Sequence, residues 1–134
     1  MVHLLLAVSQ SIPKNMEEQA CTTESCHFQK EQHQALEDTL YILGGKWKLY
    51  VIHSIYCGNK RFREIERSLP GITTRMLSKV LKELEMNKLI KRTVHTDISV
   101  TVEYTPTEYA KSLESILGEM IKWGMQHRTM IRQG

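Results

Sequence analysis

Apolar residues recur at helical spacing in three consecutive stretches from residue 34 onward. The first stretch ends at Gly44-Gly45, which predicts a helix over residues 34–43. Residues 46–56 are apolar on so many faces that they predict the central core helix. A short third helix over residues 62–69 is predicted to end at Pro70-Gly71.

The fourth helix, predicted over residues 73–86, has two chemically different faces. Its apolar stripe at helical spacing consists of Leu77, Val80, Leu81 and Leu84. Arg75, Lys79 and Lys82 lie at i, i+4 and i+7 on the opposite face, with Ser78 beside them. Thr73 or Thr74 is predicted to cap the N-terminus, and Asn87 to take the left-handed conformation after the helix.

A β-hairpin and a long helix complete the pattern. Two strands are predicted over residues 90–95 and 100–105, because the second alternates between apolar and polar residues. Thr107 follows Pro106 and is predicted to cap a last helix that runs to about residue 127. A helix of roughly 20 residues is about 30 Å long. So long a helix exceeds the core of one small subunit, which predicts that part of its apolar surface meets a second copy of the chain.

Residues 1–28 differ in character from the rest. The apolar run over residues 4–8 is too short for a signal-peptide core and has no Lys or Arg before it. A polar stretch containing Pro13 follows. We interpret residues 1–28 as a mobile N-terminal extension and residues 29–134 as a single domain.

Positive charge is concentrated in one block of the chain. Residues 60–95 carry ten Lys or Arg against four Asp or Glu, whereas residues 1–59 sum to −2 and residues 96–134 to −1. Such a local basic patch is the electrostatic footprint expected for a polyanionic partner. No apolar run approaches the ~18 residues of a membrane span, and the seven glycines form no phosphate-binding motif. Three cysteines are too few for a disulfide framework and favour a reducing compartment.

The order of these elements is that of a winged helix-turn-helix: mostly α with a small β-hairpin, with the long last helix predicted to take part in a dimer interface. A helix with an apolar back and a polar front fits the major groove of B-DNA, where Arg can pair with guanine in two hydrogen bonds. Hydroxyls, Lys and the hairpin residues are expected to contact phosphates or the adjoining minor groove. The predicted DNA-binding residues are Arg61 before the third helix, Thr73, Thr74, Arg75, Ser78, Lys79 and Lys82 on the fourth, and Lys91, Arg92 and His95 on the hairpin.

Several spaced motifs resemble one family of transcriptional regulators. Leu43-Gly44-Gly45-Lys46-Trp47 resembles the Ile-Gly-Gly-Lys-Trp signature of HxlR-type regulators, relatives of the MarR winged-helix group. Further matching segments follow in register: Arg61–Ile65, Leu69–Thr73, Met76-Leu77, Leu81–Glu85, Leu89–Arg92, Val102–Tyr104, Leu113 and Trp123-Gly124. The resemblance spans about residues 36–124. It implies a cytoplasmic regulator that binds double-stranded operator DNA as a homodimer, paired through its N- and C-terminal helices, without a cofactor.

The chain also departs from that family. Many members carry a sensing cysteine at the start of the first helix, where this sequence has Gln34. Lys88 stands where a glycine often follows the recognition helix. Cys21 and Cys26 lie upstream and are candidate redox residues, because exposed thiolates can pair with each other or with a partner's thiol. A redox-responsive regulator acting through these two cysteines is therefore one alternative.

Other function classes find less support. The spacing of Cys21, Cys26, His27 and His33 matches no zinc-finger arrangement, so no metal site is predicted. The six histidines show no nucleophile–base pairing, and His53 is predicted to be a buried core histidine, so the chain is predicted not to be an enzyme. A protein-interaction module using the same basic surface is a second alternative. An unidentified small-molecule effector is a further candidate partner, with a pocket among the residues Tyr41, Tyr50, Tyr56, Tyr109, Met120, Trp123 and Met125, although such residues usually form core.

Overall fold

The computed structural model describes residues 30–134, which form five helices and one two-stranded sheet. In chain order the elements are α1 (Lys30–Leu43), α2 (Lys48–Tyr56), α3 (Phe62–Ser68), α4 (Thr74–Met86), β1 (Ile90–His95), β2 (Thr101–Pro106) and α5 (Lys111–Gln133). None of the helices in this described range is long and apolar enough to cross a membrane. The mobile extension predicted over residues 1–28 lies outside the described residues, and the domain boundary after residue 28 stays a prediction.

The chain divides into two compact units, Met1–Glu37 and Asp38–Gly134, and the division falls within α1. In the first unit, the described residues are helical, and His33 Nε2 lies 3.2 Å from Glu37 Oε1 one turn along the helix. The second unit contains the remainder of α1 and all of the other elements.

The core of the second unit is built around α2, as its sequence predicts. α2 contacts α3, α4, α5 and β2, and it contributes Val51, Ile52 and Ile55 to the buried cluster. The remaining buried apolar residues come from the surrounding elements: Ile65, Ile72, Leu77, Val80, Leu81, Leu84, Leu89, Ile90, Ala110, Leu113 and Leu117. Burial of these side chains supplies the main driving force for the fold.

Polar contacts fix the neighbours of α2 in place. Ser54 is the buried polar residue of the described core, and its hydroxyl lies 2.6 Å from that of Ser68 on α3. The Tyr56 hydroxyl donates to the carbonyl of Ala110, which precedes α5. Burial raises the pKa of Tyr56, and the nearby Glu114 carboxylate raises it further. The phenol is therefore neutral at physiological pH and remains a hydrogen-bond donor.

β1 and β2 pair antiparallel, from Ile90 opposite Pro106 to His95 opposite Thr101. The base of the hairpin is tied to the body, because the Tyr104 N–H donates to the Lys60 carbonyl at 2.7 Å. Ile90 is buried and Tyr104 packs against the core, so this face of the hairpin points inward at its base. Val94 and Ile98, farther along the hairpin, are exposed.

The ends of several elements differ from the prediction. α1 is already helical at Lys30, the first described residue, ahead of the predicted start near residue 34, and α5 continues to Gln133. Thr107 caps the turn that leads into α5 by accepting from the Ala110 N–H at 3.2 Å, whereas the N-cap of the helix proper is Ala110. The left-handed residue after α4 is Lys88, with φ of 61°, and not Asn87, whose φ is −83°. Asn87 is the C-cap: its backbone N–H and its side-chain amide both donate to the Glu83 carbonyl, at 3.0 and 2.9 Å.

Candidate nucleic-acid interface

The N-terminus of α4 is closed by the two threonines in different ways. Thr73 is the N-cap, and its hydroxyl accepts from the Met76 N–H at 3.1 Å. Thr74 begins the helix and its hydroxyl donates to Glu66 Oε1 on α3 at 2.7 Å. Both hydroxyls therefore have intramolecular partners, and a contact to DNA has to be made in addition to these bonds or in exchange for them.

The two faces of α4 are as the spacing predicts. Leu77, Val80, Leu81 and Leu84 are buried on one side. The predicted DNA-binding residues Arg75, Ser78, Lys79 and Lys82 are all exposed on the other. Within residues 30–134, no carboxylate forms an ion pair with Arg75, Lys79 or Lys82. We call these three side chains the cationic face; its charges are available for an external anion.

Acidic residues of α4 lie off the cationic face. Glu83 Oε2 is held 3.2 Å from Lys48 Nζ on α2, and Lys48 Nζ also lies 3.4 Å from the carbonyl of Tyr41. Glu85 is exposed and makes no ion pair among the described residues. The carboxylates on this helix therefore do not neutralise the cations on its outer side.

A carboxylate on α3 links that helix to the start of α4. Glu66 accepts from the Thr74 hydroxyl at Oε1 and from Arg63 Nη1 at Oε2, the latter at 2.9 Å. These two hydrogen bonds, the first more than the second, lower the pKa of Glu66. Glu66 is thus ionised at neutral pH and joins an exposed guanidinium to the first residue of α4.

Arg61 lies exposed at the N-cap of α3. Its backbone N–H and that of Lys60 both donate to Glu64 Oε2, at 3.1 and 2.9 Å. These bonds, with the Arg61 and Arg67 charges, lower the pKa of Glu64. The guanidinium of Arg61 itself is directed by no hydrogen bond to a described residue, so it is open to a phosphate.

The predicted hairpin residues do not share one surface. Alternation along β1 puts Lys91 and His95 on one face and Arg92 on the other, opposite Tyr104. His95 Nε2 lies 3.2 Å from Glu103 Oε2, so its charge when protonated is partly offset. Lys91 and Arg92 are exposed and make no ion pair within the described part of the chain. The structure therefore brings Lys91 and His95 together and separates Arg92 from them.

Of the three cysteines, the structure describes Cys57. Cys21 and Cys26 lie outside the described residues. Cys57 is exposed, with Sγ 3.7 Å from Nε2 of His53. His53 is itself exposed, which corrects the prediction of a buried core histidine: it projects from the side of α2 opposite Val51, Ile52 and Ile55. Across residues 30–134, no group of three His, Cys, Asp or Glu side chains could hold a metal ion.

A cavity of about 170 Å³ lies between the end of α1 and the start of α5. Its lining is mostly apolar and includes Tyr109 as the one residue from the predicted effector pocket: Thr39, Ile42, Leu43, Leu89, Tyr109, Ser112, Leu113 and Ile116. The other aromatic and methionine candidates are elsewhere. Tyr41 and Tyr50 are exposed, Tyr56 bonds to Ala110, and Met120, Trp123 and Met125 are exposed on α5.

α5 exposes far more apolar surface than it buries. Leu113 and Leu117 are its buried residues, although the helix has 23 residues and a length of about 35 Å. The exposed large apolar side chains are Ile116, Met120, Ile121, Trp123, Met125, Met130 and Ile131. Trp123 stacks on His127 with ring centroids 4.9 Å apart, a contact that leaves the indole largely exposed.

Two residues of the interface were missed by the sequence analysis. Arg63 and Glu66 lie between the predicted Arg61 and Thr73 and were not among the predicted DNA-binding residues. The hydrogen bond from Thr74 to Glu66 joins residues eight apart across a turn, and helical spacing carries no signal for it. The i, i+3 spacing of Arg63 and Glu66 was a detectable signal for their ion pair.

Comparison with known proteins gives a matching family and similar structures. A family model described as HxlR-like helix-turn-helix matches residues 42–132. The chain is 40% identical over 98 residues to the HTH-type transcriptional regulator YtcD of Bacillus subtilis (strain 168), covering 73% of this chain and 78% of that protein. It is similar to the redox regulator HypR in its reduced form, with a TM-score of 0.68 and 38% identity over 75% of this chain and 99% of HypR. A MarR-family transcriptional regulator from Enterococcus faecalis V583 has a TM-score of 0.68 and 28% identity over 84% of this chain and 100% of its own.

Proposed function

Because the chain belongs to the family of HxlR-like helix-turn-helix transcriptional regulators, which bind DNA and are not enzymes, we propose that two copies of it bind one pseudo-palindromic operator. Each copy inserts α4 into the major groove, with half-sites about one helical turn apart. Arg75, near the start of α4, hydrogen-bonds to a base edge, and Lys79 and Lys82 contact the DNA phosphates. Further polar contacts to the DNA come from the N-terminus of α4, through Thr73 and Thr74, and from Ser78 beside the cationic face.

The cationic face is the observation that carries this proposal. Its three cations are exposed and unpaired among the described residues, while the back of the same helix is packed into the core. A rigidly held helix costs little conformational entropy on binding, and each cation that meets a phosphate releases a counterion. Lys91 and His95, which share one face of β1, extend the contact along the flanking groove, and Arg61 reaches a phosphate before α3. Arg92 lies on the other face of the hairpin and is left to a separate phosphate contact.

The proposed dimer rests on α5. Seven large apolar side chains are exposed along this helix of about 35 Å, and extended exposed apolar surface of this kind marks protein–protein interfaces. Pairing through α5 and α1 of two subunits covers it and sets the spacing between two copies of α4. Sedimentation equilibrium tests this directly: a mass of twice 15.6 kDa supports the dimer, and a monomer at micromolar concentration contradicts it.

Selection from a randomised duplex pool tests the operator proposal. The full chain is expected to enrich an inverted repeat, and its affinity for the recovered duplex should fall steeply with salt because several phosphates are neutralised. A shuffled duplex of the same composition is the matched control. Enrichment of no duplex, or equal affinity for the recovered and shuffled duplexes, would contradict sequence-specific binding and favour a module without DNA specificity.

Similarity to HypR, whose structure is described as that of a redox regulator, favours redox response through Cys21 and Cys26 as a second candidate function. Diamide treatment would oxidise two thiols to a disulfide, the diamide taking up the two hydrogens. The expected result is a change in operator affinity that dithiothreitol reverses. The same change in a Cys21→Ser/Cys26→Ser variant would contradict a role for this pair, and Cys57→Ser is the control.

For an effector, the cavity between α1 and α5 is the candidate location. Its volume of about 170 Å³ suits a ligand of about one aromatic ring, since a 150 Å³ apolar cavity binds benzene. Phenol should raise the melting temperature of the parent, and the Leu113→Phe variant, whose larger side chain fills the cavity, should show no such rise. An equal rise in the parent and the variant would contradict this site.

A further inference from the structure

Glu66 stands at the junction of the two helices that meet DNA, and neither its carboxylate nor Arg63 belongs to the cationic face. The side chain of Glu66 is 21% exposed, whereas that of Arg63 is 73% exposed. One carboxylate oxygen holds Arg63 and the other holds Thr74, the first residue of α4. The carboxylate is therefore the middle member of a hydrogen-bonded chain that runs from the solvent to the recognition helix.

Arg63 retains most of its hydrogen-bonding capacity in this arrangement. A guanidinium has five N–H donors, and Glu66 Oε2 engages it through Nη1. In a helix-turn-helix the first helix crosses the DNA backbone while the second enters the groove. α3 is that first helix here, so an exposed and oriented guanidinium on it is well suited to a phosphate oxygen.

We propose that Glu66 is a positioning residue for DNA recognition: it orients Arg63 to bind a backbone phosphate and couples that contact, through Thr74, to the orientation of α4. This proposal deepens the proposed function and rests on it. Arg63 makes the phosphate contact, and Glu66 is the positioning residue that holds Arg63 with one oxygen and Thr74 with the other. The coupling makes a phosphate contact on α3 fix the angle at which Arg75 approaches a base.

The proposal has an electrostatic consequence that separates it from a simple charge effect. A carboxylate close to DNA repels phosphates, so its removal alone should raise affinity for every duplex. If Glu66 positions Arg63 and α4, its removal should instead lower affinity for the correct duplex and leave or raise affinity for an incorrect one. The measured quantity is the dissociation constant for the incorrect duplex divided by that for the correct duplex, which we call the specificity ratio.

The experiment compares variants of the full chain on the duplex recovered by selection and on its shuffled control, by fluorescence anisotropy at fixed salt. Glu66→Ala is expected to lower the specificity ratio about tenfold, the scale of one charge-assisted hydrogen bond. Glu85→Ala removes the same charge from an exposed carboxylate without an ion pair among the described residues, and it should leave the ratio unchanged. Thr74→Val should reproduce the loss, because it removes the hydroxyl that donates to Glu66 Oε1.

A double-mutant cycle tests the link to Arg63. Glu66→Ala should have little further effect in an Arg63→Ala background, because the two residues act as one unit. The comparison cycle uses Arg67→Ala on the same helix, which acts on Glu66 through its charge but makes no hydrogen bond with it, and there the coupling should be clearly smaller than with Arg63→Ala. Glu66→Gln provides a milder change that keeps an acceptor for Thr74 and loses the charge that holds Arg63.

The outcomes distinguish this proposal from the one on which it rests. A parent chain that enriches no duplex overturns the operator proposal and this one together. A parent that enriches a duplex, with an unchanged ratio in Glu66→Ala or with additive effects of Arg63→Ala, overturns this proposal alone. A loss of affinity for both duplexes in step with a lower melting temperature would assign Glu66 a merely structural role and also overturn it.

Discussion

Removal of Lys79 and Lys82 together is the perturbation that most cleanly separates DNA binding from folding. Both side chains are exposed and form no ion pair with a described residue, and both project from the side of α4 opposite Leu77 and Leu81. Substitution to Ala also favours the helix slightly, because Ala has the highest helix propensity. The free energy of unfolding of the Lys79→Ala/Lys82→Ala variant should therefore lie within about 0.5 kcal/mol of that of the parent.

The expected effect on binding follows from counterion release. If each lysine meets one phosphate, the slope of log affinity against log salt should become shallower by about 0.9 for each lysine, which is about 1.8 for each subunit and about 3.6 for the dimer on its duplex. Ionic contributions nearly vanish at about 1 M salt. Over the tenfold range down to about 0.1 M, the loss therefore amounts to about 60-fold in affinity, or ~2.4 kcal/mol, per subunit.

The assay is a salt titration of fluorescence anisotropy with the selected duplex. The charge-matched control is Lys111→Ala/Lys122→Ala, which removes two lysines from α5, one of them paired with Glu108, and changes the net charge equally. Because α5 is the proposed dimer helix, the control is used after sedimentation equilibrium has shown that it keeps the parental mass. The control should lose little affinity and keep the parental slope. An unchanged slope in the Lys79/Lys82 variant, or the same loss in the control, would refute the assignment of the cationic face to DNA.

Three further predictions concern the residues that hold α4 in place, at its two ends and at its contact with α3. Thr73→Ala should destabilise the fold by about 1 kcal/mol through loss of the N-cap bond to Met76, measured by urea unfolding, while Thr73→Ser should not. Lys88→Gly should stabilise by several tenths of a kcal/mol up to about 1, since Lys88 has a φ of 61°, and Lys88→Val should do the opposite in the same measurement. The pKa of Glu66 is lowered in the folded state by Thr74 and Arg63, so its stabilising effect is present above the ordinary value of 4.5 and is lost as pH falls through the folded pKa. The melting temperature of Glu66→Gln should accordingly lie below that of the parent at pH 7 and approach it as pH falls below 4.5, at equal protein concentration; a constant difference across this range would contradict the assignment.

The parts of the fold with a regular hydrophobic period were predictable. The stripe on α4, the central place of α2 and the β-hairpin follow from spacing alone, because a buried face must repeat with the period of its element. His53 shows where the argument was too coarse. α2 is apolar on many faces, yet its helical geometry buries Val51, Ile52 and Ile55 and leaves His53 on the opposite side.

Features that depend on a single backbone angle or on a tertiary contact were not predictable. Asn is the usual non-glycine residue in the left-handed region, but here Asn87 hydrogen-bonds back to Glu83, and Lys88 makes the turn. The separation of Arg92 from Lys91 follows from the alternation of strand faces, which the choice of hairpin residues by charge ignored.

The candidate site also has a part that the sequence predicts and a part that it does not. The exposed side of α4 could be identified from residue spacing, since Arg75, Lys79 and Lys82 repeat with the helix. The link from Arg63 through Glu66 to Thr74 could not, because it needs the crossing of α3 and α4 to bring the second hydroxyl of a Thr-Thr pair onto a carboxylate.

Protection of guanine N7 from methylation tests the central assignment most directly, since N7 is exposed only in the major groove. With the selected duplex bound, the parent is expected to protect guanines in two patches about 10 base pairs apart. Arg75→Ala should restore reactivity at one guanine in each patch while the duplex stays bound at higher protein concentration. Full N7 reactivity on a saturated duplex, or an identical pattern for parent and Arg75→Ala, would contradict the insertion of α4 into the groove.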